Sequence, residues 1–278
     1  MLVRVQPGEL RKTLQAARSP PPGKVGPTRV FAQLLPRQPN TELVVSRDLD
    51  WDGCTNVRDL GGLRTADGQT TAFRAVVRAD NVRNLTNAGW QRAWEYGIRT
   101  VLDLRAASET VSDPPTHPDY AHGTVSLFNH FDGDPTYRID LAARLSGRDI
   151  AEQYRTLYLE ALELDAPRFA EALRIIANAP PGGVLIHCAH GKDRTGLLAA
   201  LLLRLVNVPP DLVHADYVRS AARLGLADSA PSGVVDHVVA AVEGERGSIA
   251  QYLLGAGATP VELERVKARL LGDRPQSG

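Results

Sequence analysis

The sequence predicts an α/β fold in which a central, mostly parallel sheet is flanked by helices and followed by a helical C-terminal part. Up to residue 187, short apolar runs of strand character alternate with segments of helical periodicity, whereas only helical patterns follow. This alternation is typical of a parallel sheet whose strands are joined by helices. With 278 residues, of which 43% are hydrophobic, the chain is long and apolar enough for one large domain of this class.

The strands are predicted from short apolar runs bounded by turn residues. Residues 48–65 mix strand and turn character, with breaks at Gly53 and at Gly61 and Gly62. Further strands are expected at 75–78, 99–105, 124–127 and 184–187. The last of these is the most apolar and is expected at the centre of the sheet. Because open α/β sheets bind ligands at the carboxyl ends of their strands, the loop after this strand is the expected site.

Helices are predicted where apolar residues recur at the helical period. The first covers residues 84–96, with Thr86 as a candidate N-cap and Gly97 as the residue that ends it. Residues 139–164 are mostly helical, and Pro167 suits the first turn of the next helix. The remaining helices are expected at 167–179, 195–206, 210–223, 234–242, 249–254 and 260–271.

The N-terminal residues 1–44 differ in composition from the rest of the chain. Residues 1–40 contain seven Lys or Arg, seven prolines and a single acidic residue, and they lack apolar periodicity. Such a segment is expected to form a mobile arm, so we predict a single domain over residues 45–278. The arm is a solvated tail, the product of a start codon assigned too far upstream, or a basic segment that contacts anionic lipid or an acidic partner.

Charge, cysteine content and hydropathy restrict the function. The formal net charge is zero, which argues against a protein that binds nucleic acid. The two cysteines, Cys54 and Cys188, are too few for a disulfide framework and suit a reducing cytoplasm. The sequence has no apolar run of about 18 residues and no signal-peptide pattern. We therefore expect a cytoplasmic protein without a transmembrane segment.

Residues 187–196, His-Cys-Ala-His-Gly-Lys-Asp-Arg-Thr-Gly, form the most informative segment. An apolar strand would place Cys188 in a tight loop at a helix N-terminus, where backbone N–H groups and the helix dipole attract anions and favour a thiolate. Arg194 provides a planar fork that can bind two phosphate oxygens at once. A nucleophile, an oxyanion cradle and a phosphate clamp in one loop predict phosphoryl transfer through a phosphocysteine.

The other residues of this loop have expected supporting roles. His187 is expected to tune the loop through a ring hydrogen bond to the backbone, and Thr195 to donate to the sulfur; a packed histidine and an ordinary helix-capping hydroxyl are the alternatives. Lys192 either faces solvent or, with His190, attracts a second phosphate. The expected substrate-binding residues are Ala189, His190, Gly191, Lys192 and Gly196.

Two other kinds of site fit this loop less well. A Walker A loop requires Ser or Thr where this chain has Asp193, and Gly where it has Ile186. A metal site built from His187, Cys188 and His190 lacks a second group of ligands. No metal and no other cofactor is therefore expected.

Several segments resemble those of a known family. Residues 187–196 resemble the signature loop of the Cys-based protein tyrosine phosphatase superfamily, and their Gly-Lys-Asp-Arg-Thr-Gly ending resembles that of its bacterial tyrosine/lipid phosphatase family. Residues 56–62, Asn-Val-Arg-Asp-Leu-Gly-Gly, resemble the family's N-terminal motif, and residues 101–105, followed by Glu109, resemble one of its strands. Residues 247–271 resemble its last helices. The resemblance implies a protein tyrosine phosphatase-like fold.

The general acid has two candidate positions. Two-step phosphoryl transfer needs a group that protonates the leaving oxygen and later deprotonates water. The resemblance favours Asp193, because the family has an aspartate before the arginine of its loop. Asp132 and Asp134 are candidates by position alone, since they lie in the turn-rich residues 128–135, which we expect to form a mobile loop. A purely structural carboxylate is the alternative at each position.

Two further groups of residues belong to the same segments. Charged residues at strand ends are expected to form structural ion pairs or, alternatively, to shape the pocket floor and position the loop. They are Arg58, Asp59, Asp103 and Arg105. Cys54 is expected to be a packed thiol, and the alternative is a disulfide with Cys188 that would protect the nucleophile from over-oxidation.

The sequence therefore predicts a Cys-dependent phosphatase that hydrolyses phosphotyrosine, with phosphoserine/threonine or phosphoinositides as further candidate substrates. Its partner would be a phosphorylated protein or a small phosphate ester. One alternative is a phosphatase for a small metabolite such as a sugar or nucleotide phosphate. Another is a non-catalytic phosphate-binding module, against which the intact Cys188, Asp193 and Arg194 argue.

Overall fold

The computed structural model of the chain describes residues 46–112, 119–128, 135–226 and 233–272. The strands in these ranges are β1 (Arg58–Asp59), β2 (Val76–Ala79), β3 (Ile98–Asp103), β4 (Ala121–Thr124) and β5 (Gly183–His187). They form one sheet in the order β1-β2-β5-β3-β4. β1 is antiparallel to β2, and the other neighbouring strands are parallel. The predicted α/β fold with a mostly parallel sheet is confirmed.

Helices flank this sheet, and the regular secondary structure of the described residues after β5 is helical. Before β5 they are α1 (Asn87–Tyr96), α2 (Ala107–Ser112), α3 (Pro135–Leu145), α4 (Ile150–Leu164) and α5 (Ala166–Asn178). After β5 they are α6 (Arg194–Leu205), α7 (Pro210–Arg223), α8 (Val234–Arg246), α9 (Ile249–Gly255) and α10 (Pro260–Leu271). None of the helices in the described ranges has the length and apolar character needed to cross a bilayer.

The two faces of the sheet belong to different hydrophobic cores. Alternate residues of a strand point to opposite faces. Val184 and Ile186 of β5 therefore pack with α4, α5, α6 and the C-terminal helices, whereas Leu185 packs with α1. Helix α6 is buried on all sides, since residues 197–203 are at most 3% exposed. The loop between β5 and α6 is thus attached at both ends to buried elements.

The predicted N-cap and end of α1 are confirmed, whereas the helix begins at Asn87, three residues after the predicted start at residue 84. Thr86 Oγ1 accepts a hydrogen bond from the Gly89 N–H at 3.2 Å, as an N-cap should. Gly97 ends the helix with a left-handed φ of 109°. The segment predicted as mostly helical at 139–164 contains two helices, because α3 ends before Gly147, which has a φ of 77°, and Asp149 caps α4.

The strand prediction at 124–127 is wrong, because β4 ends at Thr124. Residues 121–124 pair with β3 although none of them is buried. The apolar residues that suggested the strand, Val125 and Leu127, lie in the following loop. Their N–H groups donate to the carbonyl oxygens of Asp103 and Leu104 at 2.9 and 3.4 Å. They are apolar because they fill the core beside the sheet.

Some predictions fall outside the described residues. These include the arm at 1–44 and residues 129–134 of the expected loop, which contain Asp132 and Asp134. The domain boundary at residue 45 therefore stays a prediction.

Candidate active site

The loop between β5 and α6 places Cys188 at the N-terminal end of a buried helix. Cys188 is 2% exposed, and its Sγ accepts a hydrogen bond from the Gly191 N–H at 3.2 Å. Gly191 has a φ of 65°, and a Cβ at this position would lie 2.4 Å from the carbonyl oxygen of Ala79 in β2. Glycine is therefore required for the loop to pass this close to the neighbouring strand.

Four consecutive carbonyl groups of the loop are bound from outside it. The contacts are Cys188 O with His187 Nδ1 at 3.4 Å, Ala189 O with Asn81 N at 3.2 Å, His190 O with Asn56 Nδ2 at 2.9 Å and Gly191 O with Arg78 Nη2 at 2.6 Å. The N–H and C=O of one trans peptide unit point in opposite directions. Holding these carbonyls outward therefore favours an inward direction for the N–H groups that follow, and the Gly191 N–H meets the sulfur at 3.2 Å. A run of inward N–H groups of this kind is an anion-binding nest.

A buried charge cluster on α7 supports two of these donors. Asp216 Oδ2 accepts from Arg78 Nη1 at 2.5 Å, and Asp216 Oδ1 accepts from Arg58 Nε at 3.0 Å. Arg58 Nη1 in turn donates to Asn56 Oδ1 at 2.7 Å. Burial by itself would raise the pKa of Asp216, but the surrounding arginines outweigh it and hold this pKa far below its usual range. The ion pair expected at Arg58 exists, and Arg58 also orients the Asn56 side chain, which donates to the His190 carbonyl oxygen of the loop.

The remaining charges at strand ends have local partners. Asp103 and Arg105 form an ion pair, with Oδ2 and Nη2 2.7 Å apart. Asp59 does not pair with Arg58; it accepts from the Tyr96 hydroxyl at 2.6 Å and from a backbone N–H. These contacts fix the ends of β1 and β3.

His187 and Thr195 contribute buried polar groups at the two ends of the loop. Burial lowers the pKa of His187 to about 4, so its ring is neutral at neutral pH. Its Nε2 lies 3.8 Å from Asp103 Oδ1. The Thr195 hydroxyl is buried and has no hydrogen-bond partner within the described ranges. The alternative that Thr195 is a plain helix cap is therefore not supported.

Arg194 begins α6 and is bound by Glu109 of α2. Its Nη1 donates to Oε2, and its Nη2 donates to Oε1 at 3.1 Å. Partial burial would raise the pKa of Glu109, but hydrogen bonds from Arg194 and from the Ala106 N–H hold this pKa below its usual value. The carboxylate thus fixes the guanidinium plane. The family resemblance in the sequence included Glu109 but gave it no role, because no local sequence pattern links α2 to the loop.

Asp193 and Lys192 contact tyrosines of α4. The Tyr158 hydroxyl donates to Asp193 Oδ1. Lys192 Nζ donates to the Tyr154 hydroxyl at 2.9 Å and lies 4.4 Å from the centre of its ring. Lys192 is 4% exposed, so the alternative of a solvent-facing lysine is wrong, whereas His190 is exposed. Sequence reasoning missed both tyrosines, because their segment showed only the pattern of a packed helix.

A sequence model of the tyrosine phosphatase family matches residues 49–272, which include the sheet, the loop and α10. The chain belongs to the tyrosine phosphatase family. This phosphatase is 27% identical to a tyrosine-protein phosphatase of Nostoc commune, over 70% of this chain and 74% of the relative. It is 30% identical to the triple specificity protein phosphatase PtpB of Mycobacterium tuberculosis, over 79% of this chain and 98% of the relative. The predicted class, a Cys-based phosphatase, is confirmed.

A cleft of about 630 Å³ lies beside the loop of the phosphatase. Asp193 and Arg194 line it together with Ser108 and Glu109 of α2. Its apolar lining consists of Ala106, Phe128, Leu145, Ile150 and Leu157, and Gln153 and Tyr154 complete it. A cleft that combines a cation with an apolar wall suits a phosphate ester whose body is apolar or aromatic.

The two cysteines of the phosphatase are free thiols. Cys54 Sγ donates to the carbonyl oxygen of Asn81 at 3.4 Å, and burial, together with the charge of Asp80, raises the pKa of Cys54 well above its usual value. Cys54 is therefore the packed thiol that was expected, and the structure has no disulfide between it and Cys188. Across the described ranges, no three His, Cys, Asp or Glu side chains are grouped so that they could hold a metal ion.

We expect the Asn56→Ala variant of the phosphatase to bind inorganic phosphate and vanadate about tenfold more weakly, because one carbonyl of the nest loses its outer donor. The inhibition constants of both oxoanions, together with a thermal melt, provide the measurement. Thr55→Ala is the matched control, since Thr55 Oγ1 donates to Asp80 and forms no hydrogen bond with the loop among the residues that the structure describes. Unchanged oxoanion affinity in Asn56→Ala would contradict a role of Asn56 in shaping the nest.

Proposed function

We propose that the phosphatase hydrolyses phosphomonoesters through a phosphocysteine on Cys188, with phosphotyrosine as the main substrate and phosphoserine/threonine or phosphoinositides as further ones. The outward-held carbonyls of the loop are the observation that best supports this proposal. They direct backbone N–H groups at the sulfur, and such donors stabilise the negative charge of a phosphoryl group in transfer.

The proposed reaction has two steps. In the first, the Cys188 thiolate attacks phosphorus, the S–P bond forms and the bond to the leaving oxygen breaks, while Asp193 gives its proton to that oxygen. In the second, the Asp193 carboxylate takes a proton from water, and the water oxygen attacks phosphorus. The S–P bond then breaks, which releases phosphate and restores the thiolate.

The other loop residues have proposed roles in these steps. Arg194 binds the equatorial phosphoryl oxygens through the part of its fork that Glu109 leaves available. Thr195, whose buried hydroxyl lacks a partner among the described residues, donates to the sulfur when the S–P bond breaks. His187 keeps the Cys188 carbonyl turned away from the sulfur. The proposed substrate-binding residues are Ala189, His190, Gly191, Lys192 and Gly196.

The names of the relatives and the shape of the cleft support the proposed substrate class. One relative is named a tyrosine-protein phosphatase and another a triple specificity protein phosphatase. The apolar wall beside Arg194 can pack against the ring of a phosphotyrosine. A phosphate-release panel tests this with phosphotyrosine and phosphoserine peptides, a phosphoinositide, and sugar and nucleotide phosphates. A higher kcat/KM for a sugar or nucleotide phosphate than for any phosphopeptide would favour the metabolite alternative.

We expect the Asp193→Asn variant to lose more activity on an alkyl or serine phosphate than on an activated aryl phosphate, because only a poor leaving group needs the proton of an acid. The alkaline limb of its pH–rate profile should also flatten. The controls are Asp132→Asn and Asp134→Asn, at the positions outside the described residues. If those variants show the leaving-group dependence and Asp193→Asn does not, the acid is one of these two residues.

We further propose that the enzyme acts in the cytoplasm, where a reducing environment keeps Cys188 reduced. The proposed organisation is a single phosphatase domain over residues 45–278 preceded by the basic arm at 1–44. The arm's positive charge would favour peripheral contact with anionic lipid. Sedimentation with phosphatidylserine vesicles, with and without residues 1–44, tests this contact.

A further inference from the structure

Asp193 precedes α6 at its N-cap position but does not cap the helix. Aspartate at an N-cap position normally accepts a hydrogen bond from an N–H of the first helical turn. Asp193 occupies this position, but its side chain makes no cap hydrogen bond. Its carboxylate accepts from the Tyr158 hydroxyl instead. The helix loses a stabilising contact of its own, and the carboxylate is held by another element.

Tyr158 lies on α4 and is held in place by the residues packed around it. Its side chain is fully buried, and its ring packs edge-on against Tyr154 and Tyr217, with centroids 5.7 and 6.3 Å away. Its hydroxyl oxygen lies 2.7 Å from that of Tyr217. Burial first, and the nearby Asp193 charge second, raise the pKa of Tyr158 well above its usual value. Tyr158 therefore stays protonated and can donate.

The direction of each hydrogen bond follows from the number of protons available. An ionised carboxylate only accepts, and a tyrosine hydroxyl has one proton to give. Tyr158 gives its proton to Asp193 Oδ1, so in its contact with Tyr217 it must accept. The chain therefore runs from the Tyr217 O–H to the Tyr158 oxygen, and from the Tyr158 O–H to Asp193 Oδ1.

The two oxygens of Asp193 are consequently not equivalent. Lys192 Nζ lies 3.4 Å from Oδ1, the same oxygen that accepts from Tyr158. Oδ2 has no hydrogen-bond partner among the residues that the structure describes. The side chain is 32% exposed, and Asp193 lines the cleft. A proton on Oδ1 would face the Tyr158 hydroxyl and the Lys192 ammonium, whereas a proton on Oδ2 meets neither.

We propose that Tyr158 is a positioning residue, which by binding Oδ1 of Asp193 makes Oδ2 the oxygen that gives a proton to the leaving group and later takes one from water. This inference rests on the proposed function, in which Asp193 is the general acid. Tyr158 itself exchanges no proton with the substrate, and its hydroxyl remains bonded to Oδ1 through both steps.

The test compares Tyr158→Phe with Tyr252→Phe, a matched change at a buried tyrosine whose hydroxyl donates to the Leu162 carbonyl oxygen at 2.7 Å and is not part of the chain to Asp193. Both variants keep the ring and its packing. The kcat/KM is measured for an alkyl phosphate and for p-nitrophenyl phosphate. We expect Tyr158→Phe to lose about tenfold on the alkyl ester and at most about twofold on the aryl ester, while Tyr252→Phe stays within about twofold on both. Equal losses on both esters in Tyr158→Phe would reduce Tyr158 to a structural residue and overturn the proposal.

The double variant Tyr158→Phe/Asp193→Asn separates this inference from the assignment of the acid. If Tyr158 acts through Asp193, the double variant should be no slower on the alkyl ester than Asp193→Asn alone. Fully additive losses would overturn the proposal while leaving Asp193 as the acid. If Asp193→Asn itself shows no leaving-group dependence, the assignment of the acid fails, and the inference fails with it.

A second substitution covers the case in which Tyr158→Phe does not fold. Replacing Tyr158 by 3-fluorotyrosine keeps the hydroxyl and makes it a stronger donor. A stronger donor stabilises the carboxylate form of Asp193, so the alkaline limb of the pH–rate profile should move to lower pH. If the 3-fluorotyrosine variant melts like the native enzyme and the alkaline limb of its pH–rate profile does not move, the proposal is overturned.

Discussion

The Cys188→Ser variant is expected to lose turnover by a factor on the order of 10⁴ or more while it keeps its fold and its affinity for phosphate. A serine hydroxyl is far less ionised than a thiol in the same nest, so it cannot attack phosphorus at a useful rate. The N–H groups that bind the oxoanion belong to the backbone and remain in place. A thermal melt, the Kd for phosphate and the rate of phosphate release provide the measurements.

Cys54→Ser is the matched control for this substitution. Cys54 is the other thiol of the chain, donates to the Asn81 carbonyl oxygen at 3.4 Å and forms no disulfide with Cys188. Its raised pKa keeps it protonated. We expect Cys54→Ser to retain the native rate, and mass spectrometry of quenched reactions to find a phosphoryl adduct on Cys188 in the native enzyme. Substantial turnover in Cys188→Ser would contradict the phosphocysteine route.

The loop and most of the fold could be predicted because their signals are local. The apolar run of β5 and the residues of 187–196 are contiguous, so the sequence displays the nucleophile, the glycine bend and the helix start together. Thr86 and Gly97 likewise mark the ends of α1 within a few residues of it. In each case the residues that mark the element lie within it or directly beside it in the sequence.

The supports of the loop could not be predicted, because they come from distant parts of the chain. Glu109 and Arg194 are 85 residues apart, Tyr158 and Asp193 are 35 apart, and Arg58 and Asp216 are 158 apart. A buried tyrosine and a buried aspartate on helices have the same local pattern whether or not their polar atoms reach the loop. The misplaced strand has a related cause, since apolar residues beside a sheet resemble those within it.

The Arg194→Lys variant is expected to lose about a hundredfold in kcat/KM, which corresponds to about 3 kcal/mol of transition-state stabilisation. Arg194 binds Glu109 through one hydrogen each of Nη1 and Nη2, so the planar group can hold the carboxylate and still present its Nε hydrogen and a second Nη hydrogen to two phosphoryl oxygens. Lysine keeps the positive charge but has a single nitrogen. It cannot bind Glu109 and a phosphoryl group in one fixed plane.

Arg204→Lys is the matched control, because Arg204 lies on the same helix and forms its own ion pair with Glu243 at 2.8 Å. We expect this variant to keep the native rate. If charge alone at position 194 stabilised the transition state, Arg194→Lys would also remain near the native rate, and the bidentate clamp would have no role. A loss in kcat with little change in KM would instead indicate that the Arg194 guanidinium acts in the transition state. There the equatorial phosphoryl oxygens spread into a plane, and Glu109 orients the guanidinium towards them.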